Sequence, residues 1–284
     1  AYHRANGWSG DLAHYDPVRT ASQPNMGVLY GLRDVDAYFQ LLPNRVQFAG
    51  SSVAWGGPNP SMMALFGVRF VITPLGLSEA DGFERIASFP GDTFDPAVVP
   101  GGGRYDLGLY TVPSALPRAF LVPTARAVTS DHAPGSFEAL SELGKHITSP
   151  QFDPRREVLI EPLPGLPAPP ETEPGPPITA EVTFETYAGE DVRLRVDAPR
   201  DAWLFLSDIW YPGWTATVDG APAALYPANG SGRAVFVPAG PHDVAFSYAP
   251  TSFSVGLALA GLANLGVLLA LVVWRRRRFE RLAA

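Results

Sequence analysis

The sequence of 284 residues contains no cysteine and only a single lysine, Lys145. The first absence excludes disulfide staples, thiolate metal sites and cysteine nucleophiles, so stability has to come from packing. The short motifs of common chemistries are missing too: there is no GxSxG, GxxxxGK[ST], HExxH or GxGxxG. The five histidines (His3, His14, His132, His146, His242) are scattered without ligand spacing, and the Asp11, His14, Asp16 group reads as a surface turn. Gly101-Gly102-Gly103 precedes a strand pattern, so no helix N-terminus follows it to hold a phosphate. No metal and no cofactor is expected.

Positive charge is scarce outside the C-terminus. Five of the 21 basic residues (Arg275, Arg276, Arg277, Arg278 and Arg281) fall in the last ten positions, where Glu280 is the only acid. Residues 1–254 therefore carry 16 basic and 27 acidic groups, a net charge of −11. Such a body repels nucleic acid, which is not expected as a partner.

What is present in excess is proline and glycine, 30 and 28 residues without a repeat period, which implies many turns and short strands. Val255 to Trp274 is a run of twenty residues without a charge. At about 1.5 Å per residue it spans the roughly 30 Å hydrocarbon core of a bilayer. The Arg275 to Arg278 cluster is expected to stay in the cytoplasm, placing residues 1–252 outside a bacterial cell membrane. Gly256, Ala260 and Asn264 recur every fourth residue and mark a face for another helix or for lipid. The sequence begins AYHRANGWSG, without methionine, basic n-region or apolar h-region. Export is therefore expected to depend on something upstream, either a removed signal peptide or the earlier helices of a longer polytopic protein.

Within the body, Asn59-Pro60-Ser61 followed by MMALF and Gly67 predicts a short helix leading into a strand over 68–73. Residues 92–103 are turn-rich, and strands are predicted over 105–112 and 119–128. A second helix is predicted over about 135–143, with Phe137, Leu140 and Leu143 on one face and Gly144 as terminator. Residues 161–177 hold eight prolines and read as an extended exposed loop. Alternating segments over 178–187, 192–196, 203–207, 214–218, 234–237 and 244–248 give the pattern of an antiparallel sandwich. Asp219-Gly220 predicts a two-residue hairpin turn, Pro238-Ala239-Gly240 predicts another turn, and Asn229-Gly230-Ser231 is read as a turn as well. The expected fold class is α+β: a mixed α/β segment over 1–100 and a jelly-roll-like β-sandwich over 101–254. A transmembrane helix over 255–274 and a basic tail over 275–284 follow.

Ser207 to Ala234 combines a Tyr-Pro-Gly-Trp turn with a Val-Asp-Gly hairpin; a Pro-Ala-Gly-Pro-His turn and the apolar helix follow. In that order these features resemble the C-terminal end of the YfhO family of bacterial membrane proteins. Leu116-Pro-Arg-Ala-Phe-Leu-Val, Phe152-Asp-Pro-Arg-Arg and Phe66-Gly-Val-Arg-Phe-Val-Ile-Thr look like further landmarks of it. The resemblance implies a polytopic GT-C type glycosyltransferase that moves a sugar from a polyprenyl-phosphate carrier to an acceptor outside the cytoplasm. In that architecture the catalytic carboxylate lies between the earliest membrane helices, which this sequence does not contain, so no catalytic residue is carried over. The implied partners are the bilayer, upstream helices of the same protein, and a lipid-linked sugar or envelope glycan.

Three groups remain as candidate contacts. Asp34, Asp36 and Tyr38 share a face if extended and would reach a sugar hydroxyl or a metal, or stand as solvated turn residues. Trp210, Tyr211 and Trp214 surround a Pro-Gly turn and would either stack on a pyranose or close the end of a core. Arg69, Arg118 and Arg233 would anchor carboxylates within the fold or bind a carrier phosphate. The leading expectation is an accessory extracytoplasmic domain of a glycosyltransferase. A non-catalytic envelope module binding glycan or protein is the alternative.

Overall fold

A computed structural model describes residues 44, 45, 48, 59–73, 76–89 and 107–283. Asp34, Asp36, Tyr38, the Asp11–His14–Asp16 group and the turn-rich stretch 92–103 lie outside these residues. The first helix, α1 (Pro60–Leu65), starts as its sequence dictates: Pro60 occupies the first turn and the Met62 N–H donates to Asn59 Oδ1 at 3.1 Å. Gly67, at φ +68°, turns the chain out of the helix. Strands β1 (Phe70–Thr73), β2 (Glu84–Phe89) and β3 (Leu107–Thr111) follow and form a small antiparallel sheet in the order β1-β3-β2.

The next elements are β4 (Ala119–Val122), β5 (Thr124–Ala127), α2 (Phe137–Ile147), β6 (Glu157–Ile160), β7 (Val182–Ala188) and β8 (Asp191–Ala198). After them come β9 (Ala202–Leu206), β10 (Trp214–Val218), β11 (Ala221–Ala223), β12 (Leu225–Ala228), β13 (Gly232–Val237) and β14 (Gly240–Tyr248). They build a six-stranded sheet, β4-β9-β13-β12-β6-β5, and a five-stranded sheet, β11-β10-β14-β8-β7. All pairings are antiparallel except β5 with β6. The fold is α+β with mostly antiparallel sheets.

The sequences of the strands explain where each sheet sits. Strand β8 reads DVRLRVDA, with every second residue buried, so one face meets a core and Arg193, Arg195 and Asp197 meet water. Strand β9 reads AWLFL and is buried throughout, the mark of a strand covered on both faces. Ala202, Leu204 and Leu206 point with Val235 and Val237 toward the five-stranded sheet, where they join Val192, Leu194, Val196, Val244 and Phe246. Trp203 and Phe205 point the other way, into a cluster with Met62, Leu65, Phe83, Tyr110, Leu140 and Ile147. The six-stranded sheet is thus the middle layer. The second cluster unites residues on both sides of the boundary expected at residue 100, Phe48 included.

Several expectations need correction. Residues 119–128 are not one strand: Pro123 separates β4 from β5, which lie on opposite edges of the central sheet. Helix α2 does not end at Gly144 but runs on to Ile147, because Ile147 extends the buried row of Leu140 and Leu143. A glycine costs a helix only about 1 kcal/mol, and here a Cβ at Gly144 would lie 3.2 Å from the Phe48 ring. Phe137 is exposed rather than part of that face. The proline-rich segment 161–177 is irregular, as expected, but it is tied down. Tyr226 donates its hydroxyl to Pro167 O at 3.2 Å, Arg200 donates to Pro176 O at 2.7 Å, and Leu166 packs on the core.

The last helix, α3 (Thr251–Ala283), begins after Ala249-Pro250 and continues through the arginine-rich segment. Its stretch Thr251–Val272 is 22 residues long, has a mean hydropathy of 2.3 and is covered by none of the other described residues. It is long and apolar enough to cross a membrane.

Candidate functional site

The ends of the two sheets nearest the start of α3 border a half-open cavity of about 380 Å³, and Trp214, Arg118, Arg233, Asp208, Ser231 and Tyr187 are among its walls. Each residue reaches it for a local reason. Pro212 and Gly213 form a tight turn, with Gly213 at φ +108° and the Trp214 N–H donating to Tyr211 O at 3.3 Å, so Trp214 enters β10 at the rim. Only glycine fits there, since a Cβ would lie 2.9 Å from Pro250 Cα. Asn229 and Gly230, both at positive φ, turn β12 into β13. The side chain of Arg233 then continues the inward row of Val235 and Val237 and caps the inter-sheet core.

Asp208 holds the cluster together. Its Oδ1 accepts from Arg118 Nη1 at 2.6 Å and from the Tyr187 hydroxyl at 2.9 Å, while Oδ2 accepts from Arg233 Nη2 at 3.2 Å. Arg118 Nη1 also donates to the Tyr187 oxygen at 2.9 Å. The Arg233 guanidinium lies 3.7 Å from the Trp214 ring centroid and 5.3 Å from that of Phe246, a cation–π contact with two aromatics. Arg233 is 1% exposed, and burial pulls its pKa down from the ordinary arginine value against the opposing pull of Asp208. Among the described residues its Nε and Nη1 have no hydrogen-bond partner, and neither does the buried Ser231 hydroxyl.

A second buried pair braces the same region from behind. Arg45 Nη2 meets Glu161 Oε2 at 2.5 Å, Nη1 donates to Gly230 O at 2.6 Å, and the guanidinium lies 5.1 Å from the Trp210 ring. Glu161 also accepts from the Gly135 N–H.

Of the residues singled out from sequence, Trp214, Arg118 and Arg233 converge on the cavity. Trp210 packs against the inter-sheet core and Tyr211 is exposed beside it. Arg69 is exposed and does not join them. Asp208, Tyr187 and Ser231 were not singled out. The separation of 90 positions from Arg118 to Asp208 leaves no spacing signal, and only the Ser-Asp pair that follows the apolar run of β9 marks the position. On α3, Gly256 has open space around it, and the Asn264 amide donates to Ala260 O at 2.8 Å within its own helix. No group of His, Asp and Glu able to hold a metal exists among the described residues. No family model, curated protein or solved structure matches this chain.

Proposed function

We propose that the chain is the outward-facing C-terminal module of a bacterial polytopic membrane protein resembling the YfhO family. In this reading it holds a saccharide at the bilayer surface and assists transfer of a sugar from a polyprenyl-phosphate carrier to an envelope acceptor. The observation that carries the reading is the position and lining of the cavity. A carboxylate, two guanidiniums, a phenol and a hydroxyl are gathered beside a tryptophan face, the combination that takes the rim and the apolar face of a sugar ring. Trp214 pairs in register with Tyr248, and Tyr248 stands three residues before α3. An extended residue covers at most about 3.6 Å, so the rim stays within reach of a lipid headgroup once α3 is in a bilayer. The Arg275 to Arg278 cluster supports a cytoplasmic C-terminus and an extracytoplasmic body. We read the nested pairing of β8 with β14 and of β9 with β13 as jelly-roll-like.

A binding role fits this module better than catalysis, because both oxygens of Asp208 are engaged by cations and the carboxylate is an anchor rather than a free base. The reading is tested by measuring sugar transfer from a polyprenyl-phosphate donor in membranes that carry the whole protein. Trp214→Ala is expected to weaken transfer through the KM for the acceptor. Unchanged transfer and unchanged KM would sink the proposal.

A further inference from the structure

The cavity carries more positive charge than its own residues neutralise. Asp208 supplies one negative charge, and Arg118 and Arg233 supply two positive ones. Arg118 is one-third exposed and can be compensated by water, but the Arg233 side chain is 1% exposed. A buried cation is costly unless it is paired and hydrogen-bonded. Arg233 spends Nη2 on an Asp208 carboxylate it shares with Arg118, and its Nε and Nη1 have no partner among the described residues. The Ser231 hydroxyl, buried and likewise unpartnered, lines the same cavity. A buried arginine with spare donors and a buried serine facing one cavity make an incomplete coordination shell for an oxyanion.

We infer that Arg233 and Ser231 form the seat of a monoanionic oxyanion group, a carboxylate or a phosphodiester, carried by the saccharide that the cavity receives. The inference rests on the saccharide reading given above and adds the charge class of the ligand. The net charge of the cluster, one unit positive, sets the preference: a monoanion neutralises it, a neutral sugar leaves it standing, and a dianion overshoots. Trp214, whose ring centroid lies 3.7 Å from the guanidinium, is a wall of the same cavity.

The test is calorimetric titration of the full chain in nanodiscs of neutral lipid with four probes. These are methyl glucoside, methyl glucuronoside as the carboxylate, glucose 6-(methyl phosphate) as the phosphodiester, and glucose 6-phosphate as the dianion. At least one monoanion is expected to bind about ten-fold or more tightly than methyl glucoside, the worth of one charge-assisted hydrogen bond, and more tightly than the dianion. Whichever monoanion wins identifies the source of the charge. Arg233→Met should erase the preference. Ser231→Ala, which removes a hydroxyl and no charge, should reduce it several-fold even if the arginine variant fails to fold. Equal binding of neutral and monoanionic probes overturns the inference and leaves the saccharide reading intact, as does a preference that survives Ser231→Ala and any folded Arg233→Met. Binding of none of the four probes overturns both, and in a control titration with dimethyl phosphate and acetate, binding as tight as that of the sugars overturns the saccharide reading.

Discussion

The guanidinium of Arg233 lies 3.7 Å from the Trp214 ring centroid and 5.3 Å from that of Phe246 and is tied to Asp208 at 3.2 Å, while Arg118 reaches the other oxygen of the same carboxylate at 2.6 Å. Two arginines on one aspartate are not equivalent when one is sealed in the core and the other is one-third exposed.

Asp208→Ala is therefore expected to destabilise the fold by about 3–5 kcal/mol, since it strands the buried Arg233 without a counter-charge. Arg118→Ala is expected to cost about 1 kcal/mol or less, because solvent screens the partly exposed pair. Equilibrium denaturation of both variants checks the ordering, and equal losses would show that burial does not govern this cluster.

Gly230 and Gly220 both sit at positive φ in hairpin turns, at +83° and +77°, but their surroundings differ. A Cβ at Gly230 would lie 2.2 Å from the Phe48 ring, whereas nothing lies within 4 Å at Gly220. Gly220→Ala should cost about 1–2 kcal/mol from backbone strain alone. Gly230→Ala adds overpacking of about 1–3 kcal/mol, and thermal unfolding should separate the two.

Asp219 gives the fold an acid-sensitive contact. The Asp243 N–H at 2.9 Å and the His242 ring at 2.6 Å hold its carboxyl below the ordinary aspartate value. A depressed folded pKa contributes stability that is fully present above the unfolded value and is lost as pH falls through the folded one. Asp219→Asn should therefore flatten the acid limb of the stability profile, and its difference from the parent should vanish once the pH is below both values. A difference that persists unchanged into strong acid would contradict this assignment.

The body is expected to fold without α3, because both apolar clusters close within residues 48–246. A chain ending at Tyr248 should show one cooperative urea transition. A broad, non-cooperative loss of signal would mean that the helix or its bilayer is needed for folding.

How much of this was legible in the sequence depends on the range of the interaction. Local chemistry was readable: the Asn59 cap and Pro60 of α1, the Asp219-Gly220 hairpin and the apolar run of α3 each act within a few residues. Strand β8 alternates visibly because it meets water on one face. Strands β4 and β9 do not, and their continuous apolar runs encode a central sheet whose two covers come from opposite ends of the chain. The strand predicted over 119–128 runs straight across Pro123, and only the pairing of β5 with β6 shows that the chain passes there to the other edge of the sheet. Arg118, Tyr187, Asp208 and Arg233 meet from four separate stretches of the chain, so no window of sequence contains the site, although its two arginines and Trp214 stand out as residues seeking partners.

The measurement that bears most directly on the central claim is a tryptophan-fluorescence titration of the full chain in nanodiscs with neutral and acidic monosaccharides, run beside Trp214→Phe. The account predicts a saturable change in the parent that Trp214→Phe abolishes, with Trp210 left in place as the internal control. No saturable change with any sugar, or one that Trp214→Phe leaves untouched, would contradict a saccharide site at the membrane end of the sheets.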